Sequence, residues 1–310
     1  MDSDRTVTGP RIEWPTVAVA AGVYGGWVAV LFVHGSLPWP ATLALLTVVI
    51  AWHGSLQHEA LHGHPFAGPF ANELVGSIPI SLRLPFRVYR RSHLRHHACT
   101  DLTDPTTDPE CFYVTAATWS RATPVGRAFL LAHHTLLGRM LLGPIVENVS
   151  MLRRDGGEVR SGDGRLLRWW TGHLVAAAFV AWLVVVVAGI PLWVYLLGVY
   201  AGNGLSLVRS YLEHRYVEGD ATRSAIVRAS WPWRLLFLEN TLHDTHHEQP
   251  SVPWYRLSAL ADDLGSDERT AAGAGHHRGY GVVFLRHLVR PFDHPVHPRE
   301  RAAASLEPGT

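Results

Sequence analysis

Four long apolar runs dominate the pattern of hydrophobic and polar positions along the chain. Residues 16–33 carry no charge, and after a short His-Gly-Ser-Leu-Pro turn residues 38–52 carry none either. Residues 169–190 are apolar except for Thr171 and His173, and 191–208 follow at once through a Gly-Ile-Pro break. Uncharged windows of this length predict membrane-crossing helices, and the short breaks between them predict two hairpins. The shorter runs need polar flanking residues to complete a crossing of about 20 residues. A cleaved signal peptide fits the first run poorly, because residues 1–15 carry acids and no small-residue cleavage pattern follows the run. Between the hairpins, 83–87 (Arg-Leu-Pro-Phe-Arg) and the mostly apolar 125–146, bordered by Arg121, Arg127 and Arg139, read either as helices lying in the membrane interface or as ordinary buried helices. Residues 155–164 read as a glycine-rich loop, and the tail from Gly265 as irregular.

Composition strengthens the membrane reading. Of 310 residues 47% are hydrophobic and 17% charged, where an average soluble domain carries about a quarter charged residues. Mean hydropathy is +0.07. The 27 basic residues are all arginine and nearly cancel 26 acidic ones, for a net charge of +1, which disfavours a nucleic-acid-binding face. Two hairpins put the N-terminus, residues 53–168 and everything after Arg209 on one side. Every arginine lies in those three segments and none in the two short turns. The positive-inside rule therefore predicts a multi-pass protein of the inner (plasma) membrane, with both termini and the polar mass cytoplasmic. The pair Trp169–Trp170 and the residues Trp231 and Trp233 read as interfacial anchors.

Histidine is the compositional anomaly: there are 20, against 2 cysteines and 3 methionines. Cys99 and Cys111 are too few for a disulfide framework or a four-thiolate zinc site. His58-Glu-Ala-Leu-His62 places two imidazoles at i and i+4, one turn apart on one helical face. The same spacing occurs in the zinc-protease signature H-E-x-x-H, but a zinc protease needs only one further ligand, and here two more clusters compete. His93-Leu-Arg-His96-His97 and His243-Asp-Thr-His246-His247 both read H-x-x-H-H. His214 lies just past the fourth run as His58 lies just past the second. These nine histidines exceed what one tetrahedral zinc uses and suffice for two ions with open positions; nitrogen-rich ligation of this kind suits iron.

Those residues resemble the membrane fatty-acid desaturase and hydroxylase superfamily, whose three histidine boxes H-x(3,4)-H, H-x(2,3)-H-H and H-x-x-H-H match His58/His62, His93/His96/His97 and His243/His246/His247. His214 is similar to that family's additional ligand before the last box. The likeness runs from about Gln57 to Leu257 and takes in Leu102-Thr-Asp-Pro-Thr-Thr-Asp-Pro-Glu110 and His247-Glu-Gln-Pro-Ser-Val-Pro-Trp-Tyr-Arg-Leu257, strings that look like the bacterial desaturase-like branch. The resemblance implies an all-α integral membrane fold: four transmembrane helices in two hairpins under a cytoplasmic helical cap that holds a non-haem di-iron site. It also implies two iron ions as cofactor, O2 as co-substrate and a fatty acyl or lipid substrate taken from the bilayer. The first box has the shorter form, where acyl-CoA desaturases commonly have H-x(4)-H and where hydroxylase-like and ketolase-like branches share H-x(3)-H. Desaturation of an acyl chain is the leading expectation. Hydroxylation or ketolation of a fatty, alkane or carotenoid substrate comes second, and a non-catalytic haem-binding or metal-transporting membrane protein is the alternative of another class.

No G-x-G-x-x-G fingerprint, iron–sulfur cysteine set or fused cytochrome domain is present in the sequence. A separate electron donor of ferredoxin, rubredoxin or cytochrome b5 type is therefore expected. Glu59, Glu213, Asp244 and Glu248 adjoin candidate ligands and could orient them by accepting the outer ring proton. Asp101, Asp104 and Asp108 read as turn residues in two Asp-Pro turns. His53, His64, His133, His134, His173, His276, His277, His287, His294 and His297 complete no repeated spacing and are left out of the ligand set.

Overall fold

The computed structural model describes residues 12–306. The protein is mostly helical. α1 (Trp14–Val33) and α2 (Trp39–Leu61) form the first hairpin, each entered through a proline that presets the helical φ of its first turn. α2 runs well past residue 52, where the second apolar run ends, and so carries His53 and His58 inside the helix. α3 (Pro69–Ser77) and α4 (Phe86–His97) follow. Residues 83–85 are not helical, contrary to the expected helix over 83–87, because Pro85 stands at the N-cap with extended backbone and the helix opens only at Phe86.

After α5 (Ala116–Arg121), the apolar stretch 125–146 divides into α6 (Pro124–His133) and α7 (Leu136–Arg160), which meet at 109°. Thr135 makes the break, its hydroxyl accepting the backbone N–H of Gly138 at 2.9 Å to cap α7. α7 stays helical through Gly156 and Gly157 to Arg160, so the expected loop over 155–164 shrinks to a short turn. Tertiary contact overrides the weak helix propensity of the glycines: Asp155 is buried, accepts the indole N–H of Trp170 at 2.9 Å and lies 3.7 Å from Arg91.

α8 (Gly164–Trp182) continues through a π-helical turn (Leu183–Val187) to Gly189, whose φ of +78° lets the chain reverse into α9 (Leu192–Ser210). The ends of the two hairpins meet, with His34 Nε2 2.7 Å from the Ala188 carbonyl oxygen. Three helical segments are long and apolar enough to cross a membrane, Trp14–Ser36, Trp39–Leu61 and Gly164–Val187, or up to four if the bent pair α6–α7 is counted as one broken span. The fourth apolar run forms the helix α9, but Asn203, Ser206 and Arg209 dilute its apolar character, and it is not among these candidates. α9 packs between α2 and α7, while Leu192, Trp193, Leu196 and Leu197 in its first half stay exposed. A Cβ on Gly202 would stand 2.6 Å from Ile50 Cβ, and one on Gly204 2.5 Å from the Met140 carbonyl oxygen.

The tail from Gly265, expected to be irregular, holds three helices among the described residues, and these join three others that precede it. α10 (Trp231–Leu236), α11 (His243–Glu248), α12 (Leu257–Asp263), α13 (Ser266–Ala271), α14 (Tyr280–His287) and α15 (Pro298–Leu306) build a helical layer over the polar ends of α2 and α9. A short parallel pair, β1 (Ile226–Val227) with β2 (His276–His277), ties its two halves together. Tyr280 and Val283 of α14 are buried with Leu136, Val208 and Phe237; packing between segments distant in sequence, rather than local pattern, orders the tail. Trp233 belongs to that packing, against Phe237 and Tyr280, whereas Trp231 is exposed.

Candidate metal centre

Three helices and one loop deliver the imidazoles. His58 lies in the last turn of α2 and His62 is its C-cap. His93, His96 and His97 end α4, and His243, His246 and His247 lie on α11. His214 follows α9, its backbone bridged to Ser224. These nine side chains gather into two groups. His58, His62, His93, His97 and His246 form one, and His96, His214, His243 and His247 the other; within each, one ring nitrogen per residue lies within 4.8 Å of all the rest. Helix periodicity explains the division, because positions i and i+4 stand nearly above each other while i+3 is offset. His93 and His97 therefore face the first group and His96 the second, whereas His243 and His247 face the second and His246 the first. The groups touch where the His97 and His247 rings stack, centroids 4.2 Å apart.

Oxygen acceptors hold the outer nitrogens. His93 Nδ1 donates to Glu110 Oε1 at 2.9 Å and His96 Nδ1 to Asp108 Oδ1 at 2.7 Å. His243 Nδ1 faces Asn240 Oδ1 at 3.2 Å and Glu213 Oε1 at 3.3 Å, and His214 Nδ1 lies 3.3 Å from Ser224 Oγ. A neutral imidazole has one N–H, so a ring that donates outward keeps a lone pair on Nε2. Those inward nitrogens crowd one another. His93 Nε2 lies 3.1 Å from His62 Nε2 and 3.0 Å from His97 Nε2, and His214 Nε2 lies 2.9 Å from His96 Nε2 and 3.0 Å from His243 Nε2. His247 Nε2 is buried without a hydrogen-bond partner. Converging lone pairs repel unless a cation lies between them, so the residues present fit a bound metal ion in each group, and an all-nitrogen set suits a transition metal.

Burial, reinforced by neighbouring imidazoles, disfavours protonation of most of these rings, whereas at His96 the Glu110 and Asp108 carboxylates outweigh burial and raise the pKa. Burial lowers the pKa of His97 and of His214 to about 3 and holds His243, His246 and His247 well below the usual histidine range. Burial opposes the negative charge of Glu110, yet the His93 and His96 rings outweigh it and hold its carboxyl well below the usual range.

The four carboxylates next to candidate ligands behave differently from one another. Glu213 reaches His243 and pairs with Arg209 at 2.9 Å. Glu59 instead accepts the Trp254 backbone N–H at 3.2 Å, Asp244 is taken by Arg269 at 2.6 Å and Thr222 at 2.7 Å, and Glu248 lies 3.4 Å from Arg269. A helix turns about 100° per residue, so a neighbour in sequence faces away from the ligand beside it. The orienting residues that adjacency misses are Asp108, Glu110, Asn240 and Ser224. Asp108 does make the expected turn, accepting the backbone N–H groups of Thr103 and Glu110 at 2.9 Å each. The readable signal is that two Asp-Pro turns directly after the second box fold the chain back over it.

The ten histidines set aside all lie outside both groups. His64 Nδ1 binds Glu13 Oε1 at 2.9 Å and His134 Nε2 lies 3.0 Å from the Phe112 carbonyl oxygen. His53 packs edge-on against Tyr24 and His173 against Trp170. His276 lies near Asp267, and His277, His287, His294 and His297 pack on aromatic rings of the tail and its neighbours. His133 lines a cavity of about 360 Å³ bounded by α2, α4, α6, α7 and α9, which reaches Glu110, Glu213 and His214.

No curated protein matches the chain. The family model described as fatty acid desaturase matches residues 34–278, a stretch that begins at the turn after α1, ends just past β2 and holds all nine histidines of the two groups. That family is typically metal-dependent, and the resemblance carried by the histidine boxes agrees with the match. Since the match spans most of its length, the chain belongs to the fatty acid desaturase family, membrane oxidoreductases that act on fatty acyl chains.

Proposed function

We propose that the protein is a membrane-bound non-haem di-iron oxidoreductase of the bacterial desaturase-like branch, which uses O2 and two electrons from a separate donor to desaturate an acyl chain of a fatty acid or lipid. The observation that carries this reading is the division of nine imidazoles into a group of five and a group of four, in contact through His97 and His247. Two irons, when bound and reduced, supply the power to remove hydrogen from an unactivated methylene. The chain's own residues do the rest. Asp108, Glu110 and the Asn240–Glu213 pair fix the tautomers of His96, His93 and His243, so that Nε2 of each points inward. The cavity that ends at His214 holds the substrate and excludes bulk water.

The membrane arrangement follows from the same facts. Both short turns lie together through His34 and Ala188 at one end, and the arginines and the histidine groups lie in the segments at the other. We therefore place both termini and the metal centre on the cytoplasmic side of the inner membrane, with α9 as the fourth crossing helix; at 19 residues it is about 28 Å long. Hydroxylation is the second reading, favoured by the short His58–His62 box. Profiling the lipids of a heterologous host that expresses the chain tests both. New double bonds support desaturation, new hydroxyl or keto groups support the second reading, and an unchanged lipid profile with an active donor system contradicts both.

A further inference from the structure

The cavity beside His214 has walls unlike those of a hydrocarbon slot. Two ion pairs line it, Arg83–Glu147 at 2.5 Å and Arg209–Glu213 at 2.9 Å. The remaining charged side chains on its wall, Arg154 and Glu110, are opposite in sign, so the side chains of the lining carry no surplus charge. α9 adds Asn203, Ser206 and Ser210 along the wall that leads to Glu213 and His214. The wall from α6 and α7 is mixed, with Phe129, Leu130, Val146 and Met151 interleaved with His133, Glu147, Ser150 and Arg154. Several polar atoms of the lining are buried and lack a hydrogen-bond partner: Ser210 Oγ, Arg83 Nε and His133 Nε2, the last on a side chain only 6% exposed.

A wholly saturated molecule filling the cavity would strip water from these groups and return nothing to them, which is unfavourable. A carboxylate would add an unpaired charge beside ion pairs that are already balanced. A neutral group that both donates and accepts hydrogen bonds meets neither objection. We propose that the cavity binds the neutral, hydrogen-bonding headgroup of an amphiphilic substrate, of the alcohol, ketone or amide class, with its polar end against Asn203 and Ser210 and its chain against Phe129, Leu130, Val146 and Met151. The α9 wall is the one that reaches His214, so the carbon presented to the metal centre lies within a few bonds of that headgroup. This inference rests on the reading of the two histidine groups as the metal centre of a membrane oxidoreductase.

Binding tests it without turnover. Full-length, zinc-loaded protein in amphipol is equilibrated separately with tritiated 1-hexadecanol, hexadecane and palmitate, and retained label is counted after gel filtration. The expected result is retention of hexadecanol well above both others. Asn203→Leu and Ser210→Ala should each weaken hexadecanol binding by about tenfold, the worth of one lost hydrogen bond, at unchanged zinc content and elution volume. Equal retention of hexadecane, preference for palmitate, or no effect of Ser210→Ala overturns the proposal, and Ser210→Ala together with the wild-type comparison decides it even if Asn203→Leu fails to fold. Desaturated acyl chains in a host, from a protein that ignores hexadecanol, would sink this inference and leave the desaturase reading standing. Hexadecanol bound by a protein that does not change host lipids would do the reverse.

Discussion

Each imidazole of the two groups brings one ring nitrogen within 4.8 Å of those of all the others in its group, so the loss of one leaves a gap in the ligand shell. His62→Ala, His97→Ala, His214→Ala and His247→Ala should therefore all abolish product in cells at equal protein level by blot. His64→Ala and His294→Ala, outside both groups, should keep most activity. His214 is the decisive case, since it stands apart from the three boxes; wild-type product from His214→Ala would remove it from the centre. Asp108→Asn and Glu110→Gln leave every ligand present but loosen the tautomers of His96 and His93, and should lower turnover by about 10–100-fold. Asp244→Asn should act through stability, because its partners are Arg269 and Thr222 rather than a ring. A loss of about 1–3 kcal/mol is expected, read as earlier thermal unfolding at unchanged metal content. The ligand set could be read from sequence because i, i+3 and i+4 spacing is local. Its orienting partners could not, because Asp108 and Glu110 reach the rings by tertiary folding of the chain after α4.

At the scale of elements, α9 shows what hydropathy misses. A helix held between α2 and α7 needs small residues where backbones approach and polar ones where it borders the cavity, and both lower its apolar average. Gly202→Val should clash with Ile50 Cβ and the Thr47 carbonyl oxygen, 2.6 and 2.9 Å from the added Cβ. Overpacking of this kind is worth about 1–3 kcal/mol, and fluorescence-detected gel filtration should show a smaller monodisperse peak, while Gly35→Val, open to space in the turn, should not. The two hairpins were visible because long uncharged runs are a one-dimensional signal. The persistence of α7 through Gly156–Gly157 and the order of the tail were not, since Asp155 with Trp170, and Tyr280 with Phe237, are contacts between distant segments.

For the whole molecule, orientation and metal content are the claims that matter. An impermeant thiol reagent applied to intact cells should label Ser36→Cys, in the exposed turn after α1, and should not label Ser161→Cys, in the exposed turn before α8; the reverse pattern contradicts the arginine-based orientation. The central claim is that two groups of histidines hold two irons in one centre, and iron quantitation combined with Mössbauer spectroscopy on protein reconstituted anaerobically with iron tests it most directly. The account predicts two irons per chain, one for each group, with an antiferromagnetically coupled spectrum after oxidation. A stoichiometry that stays at one metal per chain, or two irons that show no coupling, would contradict it.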